Sequence, residues 1–305
     1  MAFTATDVKN LREMTGVGMM DCKKALAASD GDMNKAVEYL REKGLAASAK
    51  KASRIAAEGM AYAGVINGVG VVVEVNAETD FVGKNEKFVN FVKGVATTVA
   101  AQAPSDLDAL MDCKYDGTDL TVTQQQQEMV LVIGENIKVR RFARFAEGVS
   151  VPYIHAGGKI GVLVNLDVDG EAGDKVLEVG KDIAMQIAAL NPRFWDKSQV
   201  TQDVLDEEKR IMLAQMDNDP KMASKPAQVK EKIVEGKLNK FYSENCLLQQ
   251  DFVKDGEVTV EQYMNTAAKA AGVTIRLLGA VRFEKGEGIE KKQENFAEEI
   301  ASMIK

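Results

Sequence analysis

The sequence is poor in the residues that most often build metal sites and disulfide frameworks. Its 305 residues include one histidine and three cysteines. The cysteines, Cys22, Cys113 and Cys246, are odd in number, lie far apart and form no CxxC motif, so neither a disulfide framework nor a zinc site is indicated. This usage is typical of a reducing compartment. We therefore expect a cytoplasmic protein that needs no bound metal or cofactor.

Long apolar runs are also missing. No run approaches the ~18 residues that a membrane-spanning helix needs. The first residues, MAFTATDVKNLREM, contain no apolar core of a signal peptide. We expect no association with a membrane.

An excess of positive charge is missing as well. The net charge is -7 and the isoelectric point is about 5.1, so the chain has no general electrostatic footprint for nucleic acid. The charge is unevenly distributed: residues 1–54 hold 10 Lys/Arg and 7 Asp/Glu, whereas the remainder holds 29 and 39. The N-terminal segment is therefore a separate electrostatic unit.

The motifs of common active sites are absent too. No GxxxxGK[ST], HExxH or paired-carboxylate motif occurs, and the glycines of Gly68-Val69-Gly70 precede an apolar strand, which predicts a hairpin turn and not a dinucleotide site. The single histidine, His155, has no serine or cysteine nucleophile pattern beside it. Glu74 and Glu78 could share a strand face, but solvent-facing positions are the simpler interpretation. These absences favour a binding protein over an enzyme.

The first 44 residues contain three short helical patterns and predict a three-helix bundle over residues 1–44. Gly44 is expected to end the third helix. Residues 45–58 are rich in alanine and predict a helical or extended linker. The candidate N-caps of the three helices are Thr4 or Thr6, then Asp21, then Asp30 or Asp32.

The rest of the chain contains an internal repeat. YAGVINGVGVVVEV (62–75) recurs as YIHAGGKIGVLVNL (153–166), and TVTQQQQEMVLVIGENIKVRRFARF (121–145) recurs as TVEQYMNTAAKAAGVTIRLLGAVRF (259–283). Each copy has the pattern of a hairpin, two helices and a final strand. This order predicts a three-stranded antiparallel sheet with a helical layer in each copy, and hence an α+β fold with two duplicated subdomains.

The spacing of the two copies differs by about 50 residues, which indicates an insertion in the second copy. The insertion contains two helical runs, and Pro220 and Pro226 separate them, so it predicts a helical hairpin. The expected divisions are core subdomain 1 at 59–150, core subdomain 2 at 151–190 and 245–283, the inserted hairpin at 191–244, and a C-terminal helical module at 284–305. In that module Ile289, Phe296, Ile300 and Met303 have near-helical spacing, and the amphipathic helix could pack on its own body or dock on a partner.

The segment NAETDFVGKNEKF, residues 76–88, joins the apolar strand of the first copy to a helical pattern. Local pattern predicts that Asp80 caps this helix and that Phe81 packs on it as a hydrophobic staple, with Thr79 and Asn85 as other candidate caps. The alternative is that the junction presents an aromatic wedge, with an acid beside it, to a partner. The pattern alone leaves both open. The repeat places the matching junction of the second copy at residues 165–169, which contain no aromatic residue.

Five segments of the chain carry a further signal: LREMTGVGMMDCKKAL (11–26), NAETDFV (76–82), GENIKVRR (134–141), KIGVLV (159–164) and RFEKGEGIEK (282–291). Together these segments closely resemble bacterial elongation factor Ts. They occur in the family's order from the N-terminus to the tail, and TGVGMMDCKKAL and TDFV are highly specific to it. The resemblance implies that the bundle is a ubiquitin-associated-like domain and that the twin units are the family's two core subdomains.

The same resemblance implies a guanine nucleotide exchange factor for elongation factor Tu, and not an enzyme. Such a factor binds the GDP form of the GTPase, disturbs its Mg²⁺ site, releases GDP and leaves when GTP binds. Thr79, Asp80, Phe81 and Val82 match the family's TDFV segment, which is implicated in dislodging the ion.

The resemblance also implies where the partner binds. The expected partner-binding residues are Arg12, Met19, Met20, Lys23, Lys51 and His155. Packing in the core is the alternative for at least one of the two methionines. Residues 191–244 resemble the family's dimerisation element, but the charged run 207–209 interrupts the apolar seam, so the sequence leaves a homodimer open.

Two other classes of protein stay open. An RNA-associated translation or stress protein would use the basic N-terminal bundle, and the acidic body then predicts weak, steeply salt-dependent RNA binding at most. An enzyme would use Glu74 and His155 as its acid–base pair. We expect neither direct nucleic-acid binding nor turnover.

Overall fold

The structure is a computed structural model that describes residues 3–290. It has an α+β fold, as predicted, with an N-terminal helical bundle followed by two units that each contain an antiparallel sheet. None of the helices in this range is long and apolar enough to cross a membrane. Residues 291–305, which hold most of the predicted C-terminal helix, lie outside the described residues.

The N-terminal bundle consists of helices α1 (Ala5–Thr15), α2 (Met19–Ala28) and α3 (Met33–Lys51). Thr4 and Asp32 cap the first and third helices, as predicted. Asp21 does not cap α2, because the helix already begins after Gly18 and Asp21 lies in its first turn, where it forms an ion pair with Lys43. The helices enclose a small apolar core made by Val8, Leu11, Val17, Cys22, Ala25, Leu26, Ala36 and Leu40.

Helix α3 continues past Gly44, so the prediction that it ends there is wrong. Gly44 packs against the backbone of the first unit, where a Cβ atom would lie 3.3 Å from the carbonyl oxygen of Gln127. The glycine therefore permits close contact between two helices, a role that a helix-ending signal does not distinguish from a stop. The first part of the segment predicted as a linker is helical as far as Lys51.

The first unit contains strands β1 (Glu58–Ile66) and β2 (Val69–Ala77), helices α4 (Glu86–Gln102), α5 (Leu107–Asp112) and α6 (Val122–Ile133), and strand β3 (Lys138–Phe145). Its sheet has the order β1-β2-β3. Asn67 and Gly68 join the first two strands, and both have positive φ angles (51° and 82°), as a two-residue hairpin turn requires.

The second unit contains strands β4 (Val149–His155) and β5 (Ile160–Asp169) and helix α7 (Asp174–Leu190). It is completed by a short hairpin of β6 (Asp251–Phe252) and β7 (Asp255–Thr259), helix α11 (Val260–Ala271) and strand β8 (Thr274–Glu284). Its sheet has the order β4-β5-β8, which matches that of the first unit.

The strand registers of the two units correspond residue by residue. Gly70 lies opposite Phe145 in the first sheet, and Gly161 lies opposite Phe283 in the second. The central strands even change register at matching positions, between Glu74 and Val75 and between Asn165 and Leu166. The predicted repeat is therefore a structural repeat.

The two sheets pack face to face, and helices cover their outer faces. In β2, Val71, Val73 and Val75 point toward the helices, whereas Val72 points toward the second sheet. The buried contacts between the sheets are made by Ala61, Ala63, Val72, Leu163 and Phe283. Because side chains alternate along a strand, Glu74 shares the face of Val72 and points toward the second sheet.

The insertion forms α8 (Gln202–Asn218), a single turn α9 (Pro220–Ala223) and α10 (Ala227–Asn245). Pro220 occupies the first turn of α9 and Pro226 precedes α10, which confirms the predicted proline break. Met216, Val234 and Phe241 are the buried apolar residues of these helices.

Candidate functional site

The junction between β2 and α4 leaves Phe81 outside the core. Its side chain is 82% exposed, whereas its neighbour Val82 is buried among the core residues of the first unit. Asn85, and not Asp80, caps α4, because its side-chain oxygen accepts a hydrogen bond from the Lys87 N–H at 2.9 Å. The prediction of an Asp80 cap with a Phe81 staple is therefore wrong. Val82 makes the apolar contact to the core, so nothing draws Phe81 inward.

A carboxylate from another loop fixes the backbone of this junction. Glu135 follows α6, and its Oε2 accepts hydrogen bonds from the Glu78 and Thr79 N–H groups, both at 3.0 Å. Its Oε1 accepts from the Thr79 hydroxyl at 2.7 Å. Asp80 is exposed and makes no hydrogen bond or ion pair with any residue between 3 and 290. The junction thus presents a free acid and a free aromatic ring on a backbone that is held in place.

Two adjoining concavities lie between Phe81 and the N-terminal bundle, and together they are called the groove here. One concavity is lined by Phe81, Val82, Asn85, Lys87, Val132 and Ile133. A second shares Lys87 and Val132 with it and continues to Met14 and Gly16. Lys87 connects the first unit to the bundle, because its Nζ donates a hydrogen bond to the Gly16 carbonyl oxygen at 3.1 Å. The bundle and the junction therefore form one continuous surface.

The predicted residues of the bundle lie at its surface. Arg12 and Lys23 are exposed, and Met19 and Met20 are 54% and 63% exposed. Neither methionine belongs to the core of the bundle, so the core-packing alternative is wrong for both. Met14, which the sequence did not single out as a contact residue, is 66% exposed and lines the groove. The one sequence signal for this position is that Met14 lies near the end of α1, five residues before the first residue of α2.

Lys51 makes a contact within the chain. Its Nζ donates to the carbonyl oxygen of Gly134 at 2.6 Å, at the C-terminal end of α6. A cation at this end of a helix meets free carbonyl groups and the negative end of the helix dipole. Lys51 therefore connects α3 to the loop that carries Glu135.

His155 lies apart from the groove, at the exposed end of β4 in the second unit. Its Nδ1 is 3.0 Å from the hydroxyl oxygen of Tyr153, in hydrogen-bond contact. The structure thus brings Phe81 and the end of α1 together and leaves His155 on a separate surface.

Glu74 is completely buried, so its prediction as a solvent-facing residue is wrong. Its carboxylate accepts hydrogen bonds from Arg140 at 2.9 Å, Arg141 at 2.5 Å and the Gly286 N–H at 2.8 Å. Burial alone would raise the pKa of Glu74, but the hydrogen bonds from Gly286, Asn76 and the two arginines outweigh it and lower the pKa. A buried carboxylate that stays ionised is a poor proton donor. The structure therefore does not support Glu74 as the acid of an acid–base pair with His155.

The corresponding junction of the second unit lies further along the chain than predicted. Strand β5 extends through Asp169, so residues 165–169 are part of the strand. The junction is Gly170–Gly173, and the register of the repeat places Ala172 where the first unit has Phe81. The exposed aromatic residue belongs to the first unit alone.

Within residues 3–290, no group of His, Cys, Asp and Glu side chains could hold a metal ion. All three cysteines are free. Burial raises the pKa of each thiol, so none of them is activated as a thiolate.

Comparison with known proteins gives one family. Residues 78–287 match the family described as "Elongation factor TS". The chain is 45% identical over 307 residues to the elongation factor Ts of Syntrophotalea carbinolica, with all of both chains covered. It is 47% identical to that of Clostridium kluyveri, over 99% of this chain and 98% of the relative. It is 50% identical to that of Clostridium perfringens, over 98% of each.

Proposed function

Because this chain belongs to the elongation factor Ts family, we propose that it promotes guanine nucleotide exchange on elongation factor Tu during translation elongation. In this role it binds the GTPase and changes its affinity for nucleotide, without covalent chemistry. The observation that carries the proposal is Phe81, an 82% exposed aromatic side chain on a fixed junction with an exposed acid beside it.

The proposed mechanism is a wedge. Phe81 enters between side chains of the partner's GTP-binding domain and shifts the elements that position Mg²⁺, while Asp80 engages polar groups beside it. Burial of one large apolar side chain supplies about 2 kcal/mol, which can offset part of the cost of that shift. Thr79 and Val82 hold the wedge from within, through a hydrogen bond to Glu135 and through contact with the core.

Disturbing the ion releases the nucleotide for an electrostatic reason. A GTPase holds GDP through its phosphate loop and through a Mg²⁺ ion that bridges phosphate and protein. The ion is the largest positive charge opposing the phosphates, so its loss weakens GDP binding most. By linkage, GDP weakens the binding of the factor by the same ratio, so the factor fits the nucleotide-free form best and GTP displaces it.

The N-terminal bundle provides the second part of the proposed contact. The exposed methionines Met14, Met19 and Met20 offer an adaptable apolar surface on the bundle, where Met14 lines the groove, and Arg12 and Lys23 lie nearby in the sequence. Because the two concavities of the groove adjoin at Lys87 and Val132, one partner element lying across them would meet both Met14 and Phe81. Lys51 supports this surface from inside the chain, and His155 would meet another part of the partner.

The inserted hairpin is the proposed place for contact between two copies of the chain. Ile211, Leu213 and Val229 are exposed apolar residues on α8 and α10. Their exposure supports an association of two copies at the hairpin. Sedimentation analysis of the full chain tests the association, and a variant with serine at these three positions is the comparison. A full chain that is monomeric at all concentrations would contradict it.

Release of a fluorescent GDP analogue from purified elongation factor Tu tests the exchange function. We expect release to accelerate with increasing concentration of the chain until it saturates. Unchanged release over a wide concentration range would contradict the proposal. Val65→Ala is a matched control, since Val65 is an exposed apolar residue of the first unit that does not line the groove, and this variant should behave like the wild type.

A further inference from the structure

The junction that carries Phe81 and the loop after α6 hold each other by exchanged hydrogen bonds. Glu135 accepts from the backbone of Glu78 and Thr79, and Glu78 accepts from the backbone N–H of Asn136 at 2.6 Å. Each loop thus supplies the carboxylate that binds the other loop's N–H groups. Hydrogen bonds to an ionised acceptor are about twice as strong as those between neutral groups.

We call these exchanged hydrogen bonds between the junction and the loop after α6 the brace. Neighbouring residues bind the brace on both sides. The Asn136 side-chain Nδ2 donates to the Arg54 carbonyl oxygen at 2.7 Å, and Arg54 lies 3.4 Å from the Glu78 carboxylate. Lys51 binds Gly134, the residue before Glu135. The brace therefore also connects the C-terminal end of α3 to the junction.

Phe81 depends on this backbone because its own side chain has almost no packing support. A ring that is 82% exposed takes its direction from the residues on either side of it. Val82, buried in the core, fixes one side. Glu135 fixes the residues that precede the ring, Glu78 and Thr79, through its three hydrogen bonds. Without Glu135, the N–H groups of Glu78 and Thr79 lose their acceptor, and the turn must be ordered when the partner binds.

We propose that Glu135 is a positioning residue for nucleotide exchange, which acts by holding the turn that presents Phe81 to the GTPase. The inference rests on the proposed function and adds to it a residue outside the TDFV segment. No local sequence pattern predicts this role, because Glu135 is distant in the chain from the turn that it binds.

A double-mutant cycle tests the inference. GDP release from elongation factor Tu is measured at saturating concentrations of the wild type, Glu135→Ala, Phe81→Ala and the double variant. We expect Glu135→Ala to slow stimulated release roughly tenfold, since two backbone donors lose a charged acceptor. The double variant should be slower than Phe81→Ala by no more than about twofold, because most of the effect of Glu135 passes through that ring.

Glu135→Gln and Glu171→Ala complete the set. The glutamine keeps one oxygen that can accept both backbone hydrogen bonds, so its rate should lie between the wild type and Glu135→Ala. It also replaces Glu135→Ala in the cycle if that variant does not fold. Glu171 is an exposed acid at the matching junction of the second unit, and its removal should leave the rate unchanged.

The outcomes separate the two claims. If the wild type does not accelerate release, the proposed function fails. If the wild type accelerates release and Phe81→Ala slows it, but the folded Glu135 variants remain as fast as the wild type, the positioning role alone is overturned. Additive losses in the double variant would overturn it too, because they would place the action of Glu135 elsewhere.

Discussion

Glu74 and Gly286 are joined by a hydrogen bond of 2.8 Å from the Gly286 N–H to the Glu74 Oε1. The bond connects the central strand of the first unit to the turn that follows the last strand of the second. Arg140 and Arg141 bind the same carboxylate and also contact Glu287, through its carbonyl oxygen at 2.5 Å and its carboxylate at 3.0 Å respectively. Glu74 thus holds the two units together at a fully buried point.

Glu74→Gln should lower the free energy of unfolding by about 3 kcal/mol, the cost of removing one partner from a buried charge cluster. Chemical denaturation at pH 7 measures it. Glu147→Gln, at an exposed loop position between the two units, is the control and should leave the value within about 0.5 kcal/mol. A loss equal to that of the control would contradict the role given to Glu74.

The same carboxylate predicts an acid-sensitive step in stability. Because its pKa is lowered in the folded state, its contribution is present above the usual carboxyl value near 4.5 and is lost as the pH falls through the folded value. The difference in unfolding free energy between the wild type and Glu74→Gln should therefore be constant near neutral pH and shrink below about pH 4.5. A difference that stays constant down to acid unfolding would contradict this assignment.

Met14 and Met20 should matter for affinity and not for stability. Both are more than half exposed, so Met14→Ser and Met20→Ser should leave the unfolding free energy within about 0.5 kcal/mol. Each should weaken binding to nucleotide-free elongation factor Tu several-fold, because an apolar contact is lost. Titration calorimetry measures the affinity. Leu45→Ser is the matched control, as Leu45 is 52% exposed on α3 in the same bundle, and an equal loss there would contradict a specific contact.

The fold could be predicted from the sequence where residue patterns repeat. It could not be predicted where the role of a residue depends on an element that packs against it from elsewhere in the chain. The repeat was readable because matched glycines and strand patterns recur, and the registers of Gly70 and Gly161 confirm it. Glu74 was misread because the pattern of one strand does not show that a second sheet covers its other face. Gly44 was misread because close packing and helix ending use the same residue.

The sequence predicts the residues of the TDFV segment as a candidate site. It does not predict the residues that hold this segment in place. The TDFV segment stood out at a junction, but local pattern favoured a packed Phe81, since nothing in the segment shows that Val82 already fills the core position. Glu135 lies more than fifty residues away from the turn that it binds, and no local pattern predicts such a bond. The sequence pattern likewise does not show that Met14 lines the groove.

If Phe81 promotes GDP release by disturbing the Mg²⁺ site, the effect of Phe81→Ala on the release rate must depend on the concentration of Mg²⁺. Removal of Mg²⁺ by a chelator should accelerate GDP release from elongation factor Tu alone and should reduce the difference between wild type and Phe81→Ala to about twofold or less. The rates are compared at several concentrations of free Mg²⁺. A ratio that does not change with Mg²⁺ would mean that Phe81 acts on another part of the GTPase.

The most direct test is stopped-flow release of a fluorescent GDP analogue from elongation factor Tu, with Phe81→Ala and wild type at saturating concentration in Mg²⁺-containing buffer. We predict that Phe81→Ala releases GDP at least about 30-fold more slowly, the equivalent of losing a contact of about 2 kcal/mol, while its thermal unfolding midpoint is unchanged. Release by Phe81→Ala within twofold of the wild type would contradict the account.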